Sequence, residues 1–240
     1  MTTTTLERTK PRQSNGQAVL LPLRNGEHLS RGEFERRWDP TRELRLAELI
    51  EGIVFMSPPI SDTHSEHHDR LHHWLSVYAR ATPGVKSRIA PSLRLDNRNE
   101  YQPDCLLRIE HPTLARSRVS PDGYLEGAPE LVAEIAVTSA DYDAHEKREV
   151  YERLGIQEYL LWQVMDAQCH WLTLEDGRYV LLKPRPDGVS YSQVFPGLWL
   201  DLRALLAGDE RRVGAVLSRG LQSAEHAAFV RKLAANSKLR

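Results

Sequence analysis

Two spacings of apolar residues alternate along the chain and lay out most of its elements. From Ser61 to Ala81 the pattern is helical: at about 100° per residue, Leu71, Leu75 and Tyr78 share one face. "ELVAEIAV", residues 130–137, is almost wholly apolar and reads as a strand buried on both faces. The helix that follows, in "SADYDAHEKREVYERLG", has Asp143 and Glu146 at capping-box spacing and Gly155 at its stop. "EYLLWQVM", "HWLTLE" and "YVLLKP" then read as three strands, with "EDGR" as the hairpin turn between the last two. Upstream, Ser30 and Glu33 open a short helix in "SRGEFERRW". "LAELIEGIVFMSPP" reads as a strand pair or a helix end feeding a strand. "SLRLD" is strand-like, "NRNE" a polar turn, "YQPDCLLRI" a further strand and "LEGAP" a turn. Beyond about residue 201 the chain is helical, with Val213, Val216, Leu217 and Leu221 spaced for one buried stripe. The mixture predicts one α/β domain with a mixed sheet.

Composition changes this picture little. Residues 1–25 are polar, lack periodicity and are expected to be disordered. The main domain is expected over 26–205, and 206–240 forms a helical extension. A chain of 240 residues with 40% hydrophobic and 27% charged positions is ordinary for a globular protein. The net charge of −1 announces neither nucleic acid nor membrane, although a local basic surface would suffice for the former. Two cysteines in unrelated contexts, Cys105 and Cys169, fit a reducing compartment. "AVLLPL" is too short for a signal-peptide core, and no run approaches the roughly 18 apolar residues of a membrane span. A soluble, cytoplasmic protein is the expectation.

Three charged residues stand where charge is hard to explain. Asp104 follows Pro103 in a strand-like segment, although aspartate suits strands poorly. Glu134 interrupts "LVAEIAV" and shares a strand face with Val132 and Ala136. Lys147 lies with Val150, Tyr151 and Leu154 on the inward stripe of the next helix. From pattern alone, a structural Glu134–Lys147 ion pair or a snorkelling lysine is an equally open reading. Two carboxylates with a lysine nearby also make a hard-cation site. Oxygen ligands suit Mg²⁺, which can polarise a phosphoryl oxygen and activate water. That chemistry points to phosphodiester hydrolysis.

The chain resembles the Uma-type restriction endonuclease family. The resemblance is carried by "ELIEGIVFMSPP" with His64 five residues beyond, "YQPDCLLRI", "LEGAPELVAEIA", "DAHEKREVYERLGIQEYLLW" and "FPGLWLDL", over roughly residues 30 to 205. It implies the PD-(D/E)xK nuclease fold, a mixed central sheet flanked by helices. By the family pattern Asp104 is the motif aspartate and Glu134 the second metal-binding acid. The lysine expected two residues after that acid is replaced by Ala136, and Lys147 on the following helix matches it instead. Glu48 matches an acid approaching the same site, and Gln102 is a candidate contact for water or phosphate. Many relatives carry Ser-Pro-Ser after the acid strand. Here Thr138, Ser139 and Ala140 stand there, with Ser139 the candidate substrate contact. The implied activity is Mg²⁺-dependent hydrolysis of DNA, with Mn²⁺ able to substitute. A homodimer is the expected assembly. The alternative is an inactive nuclease-fold module that serves DNA binding or assembly.

"HSEHHDRLHHWL", residues 64–75, holds five of the ten histidines. His64, His67 and His68 fall near the face of Leu71 and Leu75, and His73 is turned away. His64 and His68 are one helical turn apart, as zinc ligands would be, but there is no HExxH and no cysteine close in sequence. A helix bordering a cleft explains the cluster, and His64 is the member expected to contact substrate or orient an acid.

Overall fold

In this computed structural model the described residues are 21–39, 46–137 and 142–235, side chains at 142–145 excepted. Most of the segment 1–25, and the Thr138–Ala140 stretch with Ser139, lie outside them. The chain opens with α1 (Arg31–Trp38), the hairpin β1 (Ala47–Ile50) and β2 (Ile53–Met56), and the long helix α2 (Asp62–Ala81). β3 (Val85–Ile89), β4 (Leu93–Asp96), β5 (Asn99–Tyr101), β6 (Cys105–Ile109), β7 (Ser117–Val119), β8 (Leu125–Gly127) and β9 (Leu131–Ala136) follow. Then come α3 (Tyr142–Arg153), β10 (Glu158–Gln163), β11 (Gln168–Glu175), β12 (Arg178–Leu181), β13 (Ser190–Tyr191) and β14 (Trp199–Leu200). The helices α4 (Leu202–Leu206), α5 (Glu210–Leu221) and α6 (Ala224–Ala235) close the described part.

The fold is α/β. Its principal mixed sheet has the order β12-β11-β10-β9-β6-β3. β9 and β10 run parallel, and α3 makes the crossover that such a pair requires; the other pairs of this sheet are antiparallel. A second mixed sheet, β2-β1-β5-β4-β8-β7, stands beside it, and β13 and β14 pair separately. Local signals place several boundaries. The Ser30 and Ser61 hydroxyls accept from the Glu33 and His64 amides and start α1 and α2. Gly155, at φ +79°, ends the α3 segment. Glu51-Gly52 and Asp176-Gly177 have positive φ at both positions, which matches the strand twist and makes two-residue hairpins. "LAELIEGIVFM" is thus a strand pair, and its hairpin fixes the register of Glu48 opposite Phe55.

Two segments depart from the pattern-based expectation. "YQPDCLLRI" is two strands, β5 in one sheet and β6 in the other, broken at Gln102-Pro103-Asp104. Proline lacks the N–H that a continuous ladder would need, so the chain changes sheets there. Part of "LEGAP" is the short strand β8, which Gly127 ends at φ +88°.

Alternation sorts β9 between two cores. Leu131, Ala133 and Ile135 join Leu71, Trp74, Leu75 and Tyr78 of α2 in one cluster. Val132 and Ala136 pack with Val150 and Tyr151 of α3 and with Ile50 and Tyr101 of the second sheet. Glu134 therefore faces the layer where α3 and the second sheet meet. The C-terminal helices add Val213, Leu217, Phe229 and Leu233 to the α2 side. Two hydrogen bonds fasten α2 there as well: Trp74 Nε1 donates to Trp199 O at 3.1 Å and Tyr78 Oη to Pro196 O at 2.9 Å.

Candidate active site

The break between β5 and β6 brings Asp104 to the mouth of a cleft of about 440 Å³. Glu48, His64, Gln102, Asp104, Glu134 and Lys147 all line it. These are six of the seven candidate residues; Ser139 is outside the described residues. Each arrives for a different reason. Glu48 is turned inward because it shares a strand face with Ile50, which packs beneath Val132 and Tyr151. Glu134 faces the same layer from β9, and Lys147 meets both acids from the inward stripe of α3.

Lys147 Nζ donates to Glu48 at 3.0 Å and to Glu134 Oε1 at 3.4 Å. The Tyr151 hydroxyl donates to the same Glu134 oxygen at 2.8 Å. The Asp104 amide reaches Glu134 Oε2 at 3.4 Å, and the Gln102 amide donates to Glu48 Oε1 at 2.7 Å. The backbone that changes sheets is therefore pinned by one acid from each sheet. Burying an ion costs several kcal/mol even after relaxation. A single apolar neighbour returns only about 1.5–3 kcal/mol. Glu134 persists in its apolar strand because an ammonium, a phenol and an amide all serve its carboxyl group.

Asp104 is more open, with 17% of its side chain exposed. Its Oδ2 accepts from the Ile135 amide at 2.7 Å, and Oδ1 lies 3.3 Å from His64 Nε2. Its carbonyl accepts from the Ala90 amide at 3.0 Å and from His68 Nε2 at 2.8 Å. Ala90 itself sits at φ +40°, a left-handed conformation unusual for a residue with a side chain, on the wall of the cleft.

Burial pushes the Glu134 carboxyl up to about 7; Lys147 opposes this, while Asp104 and Glu48 reinforce it. Burial alone would lower the Lys147 ammonium, but Glu134 and Glu48 outweigh it and raise the pKa above its ordinary value. Burial, and then the neighbouring Glu134, raise the Tyr151 phenol, which stays a donor. Three carboxyl groups thus face one ammonium, and the excess of oxygen donors fits a hard dication as an additional positive charge.

Two participants escaped the sequence reading. Tyr151 reads there as an ordinary core position, since its spacing shows only that it points inward. His68 reads as part of the helix bordering the cleft, because its partner is a backbone carbonyl 36 residues away. The zinc reading of the histidine helix changes form. His64 and His68 do approach one another, and the residue that joins them is Asp104, with donor atoms of all three within 4.8 Å of each other.

The family model described as "Uma2: Putative restriction endonuclease" matches residues 32–203. No curated protein matches the sequence. Among solved structures, the chain is similar to that described as "Crystal structure of a putative nuclease belonging to DUF820 from Anabaena variabilis ATCC 29413", with a TM-score of 0.55 and 16% identity. The match covers 70% of this chain and 96% of that one. At that identity the likeness speaks to the fold alone.

Proposed function

The chain belongs to the Uma2 restriction-endonuclease family, and on that premise we propose that it is a metal-dependent endonuclease that hydrolyses phosphodiester bonds of DNA. The observation that carries this reading is the buried Lys147, held between Glu48 and Glu134 on the wall of an open cleft that Asp104 also lines. A structural ion pair alone needs neither a cleft nor a third carboxylate.

Asp104 and Glu134 would hold the cation, their oxygen donors suiting Mg²⁺ with Mn²⁺ able to substitute. Bound there, a dication supplies Lewis acidity toward a phosphoryl oxygen and an attacking water. The protein's own groups do the rest. Lys147 has three N–H donors and is fixed by two acids, so it meets developing negative charge without reorganising. Tyr151 and the Asp104 amide keep Glu134 in one orientation, and the Ile135 amide does the same for Asp104. Gln102, held through its amide by Glu48, offers its side-chain amide to substrate or water. The proposed catalytic unit is residues 26–205, with 206–240 as an extension whose helices α5 and α6 buttress α2. Among the described residues no helix is long and apolar enough to cross a membrane.

Supercoiled plasmid incubated with Mg²⁺ or Mn²⁺ should be nicked or linearised by the wild type, and chelation should stop it. Asp104→Asn, at a partly exposed position, should abolish cleavage. Equal cleavage by that variant would refute the reading. Metal-independent DNA binding with no cleavage would identify a non-catalytic module instead.

A further inference from the structure

The nuclease reading assigns the cation to carboxylates, but a group of side chains converging on Asp104 offers imidazole nitrogens. We propose, resting on that reading, that His64 is a direct ligand of the same cation, making a mixed nitrogen–oxygen site that prefers a transition-metal dication such as Mn²⁺ over Mg²⁺.

Among the described residues, His64, His68 and Asp104 form the group whose donor atoms all lie within 4.8 Å of one another. Glu134 is not in that group, being drawn toward Lys147 and Tyr151. The Oδ2 of Asp104 is engaged by the Ile135 amide, so Oδ1 is the oxygen turned toward the imidazole. The 3.3 Å between Asp104 Oδ1 and His64 Nε2 is informative. It is long for a charge-assisted hydrogen bond, which runs about 2.7–2.9 Å. Two donors about 2.1 Å from a shared ion stand about 3.0 Å apart at a right angle and about 3.4 Å apart at a tetrahedral angle. The observed separation falls between those two edges.

The two histidines divide the work. His68 Nε2 faces a carbonyl oxygen, which can only accept, so that nitrogen carries its proton and is not a metal donor. Through that bond His68 holds the Asp104 peptide against α2, and its remaining lone pair lies on Nδ1. His64 stands one helical turn earlier, its amide fixed by the Ser61 cap, with the two rings edge-to-face at 5.9 Å. Imidazole is a common ligand of transition-metal dications, whereas Mg²⁺ favours an all-oxygen shell and retains water.

Pulsed electron paramagnetic resonance of the Mn²⁺-loaded protein tests this directly. The wild type should show the modulation of a directly bound imidazole nitrogen. His64→Ala should lose it, with Mn²⁺ affinity weakened roughly 10-fold or more and Mg²⁺ affinity weakened less. His73→Ala, at an exposed position on the same helix, should change neither. Bound Mn²⁺ without nitrogen coupling in the wild type would overturn the role of His64 and leave the nuclease reading standing. Coupling that survives His64→Ala but vanishes in His68→Ala would overturn the division between the two rings. Mn²⁺ binding that is absent, or that is indifferent to Asp104→Asn, would remove the nuclease reading and this inference together.

Discussion

Lys147→Met is expected to eliminate cleavage and to destabilise the fold by about 3–5 kcal/mol, the usual cost of removing one partner from a buried charge cluster. Methionine fills nearly the volume of lysine, so the loss is not that of a cavity. What remains is two buried carboxyl groups, Glu48 and Glu134, deprived of the ammonium that now lies 3.0 and 3.4 Å from them. Urea denaturation measures the effect. Adding Glu48→Gln and Glu134→Gln to Lys147→Met should restore most of the stability while activity stays absent. That pairing separates chemistry from folding. A Lys147→Met protein as stable as wild type would mean that the ammonium does not hold the acids in place.

Glu134→Gln should reduce cleavage by at least about a hundredfold, a typical loss when one preorganised electrostatic group is removed. Its effect on stability should depend on pH, and the sign follows from the raised pKa. Between about 4.5, the ordinary value, and about 7, the folded protein keeps a proton on Glu134 that the unfolded chain releases. Wild-type stability attributable to this group is therefore fully present below 4.5 and declines as pH rises through 7, by a total on the order of 3 kcal/mol. Glutamine has no such proton. Denaturation midpoints at pH 5 and pH 8 should show the wild type losing ground relative to Glu134→Gln as pH increases. Cation affinity of the wild type should rise over the same interval, since the ligand must be deprotonated. A constant stability difference would mean that burial does not raise this carboxyl.

The elements readable from sequence were those whose cause is local. Ser30 announces its helix because a cap acts within three residues, and Gly155 stops the α3 segment through its own backbone freedom. The oddity of Glu134 and Lys147 was likewise visible, because a charge on an apolar strand or stripe contradicts its immediate neighbours. Glu48 was different: nothing in "AELIEG" marks it, and only the family resemblance singled it out. The division of "YQPDCLLRI" between sheets was hidden because pairing partners are non-local, and Pro103 alone signals a break without saying where the chain goes. The three-residue strands β7 and β8 carry too few alternating positions to stand out. His68 was opaque for a related reason, since sequence periodicity shows where a side chain points but not which distant carbonyl awaits it.

The passage of the chain between sheets has a mechanical corollary. Glu48 travels with one sheet, while Asp104, Glu134 and Lys147 travel with the other and its covering helix. The cluster is thus a clasp across two sheets. Ile50 and Tyr101 of one sheet share a core with Val132, Ala136 and Tyr151 of the other side, so drawing Glu48 away from Lys147 would open that core as well. The electrostatic cluster and the apolar layer beneath it therefore stand or fall together, and loosening either should loosen the other.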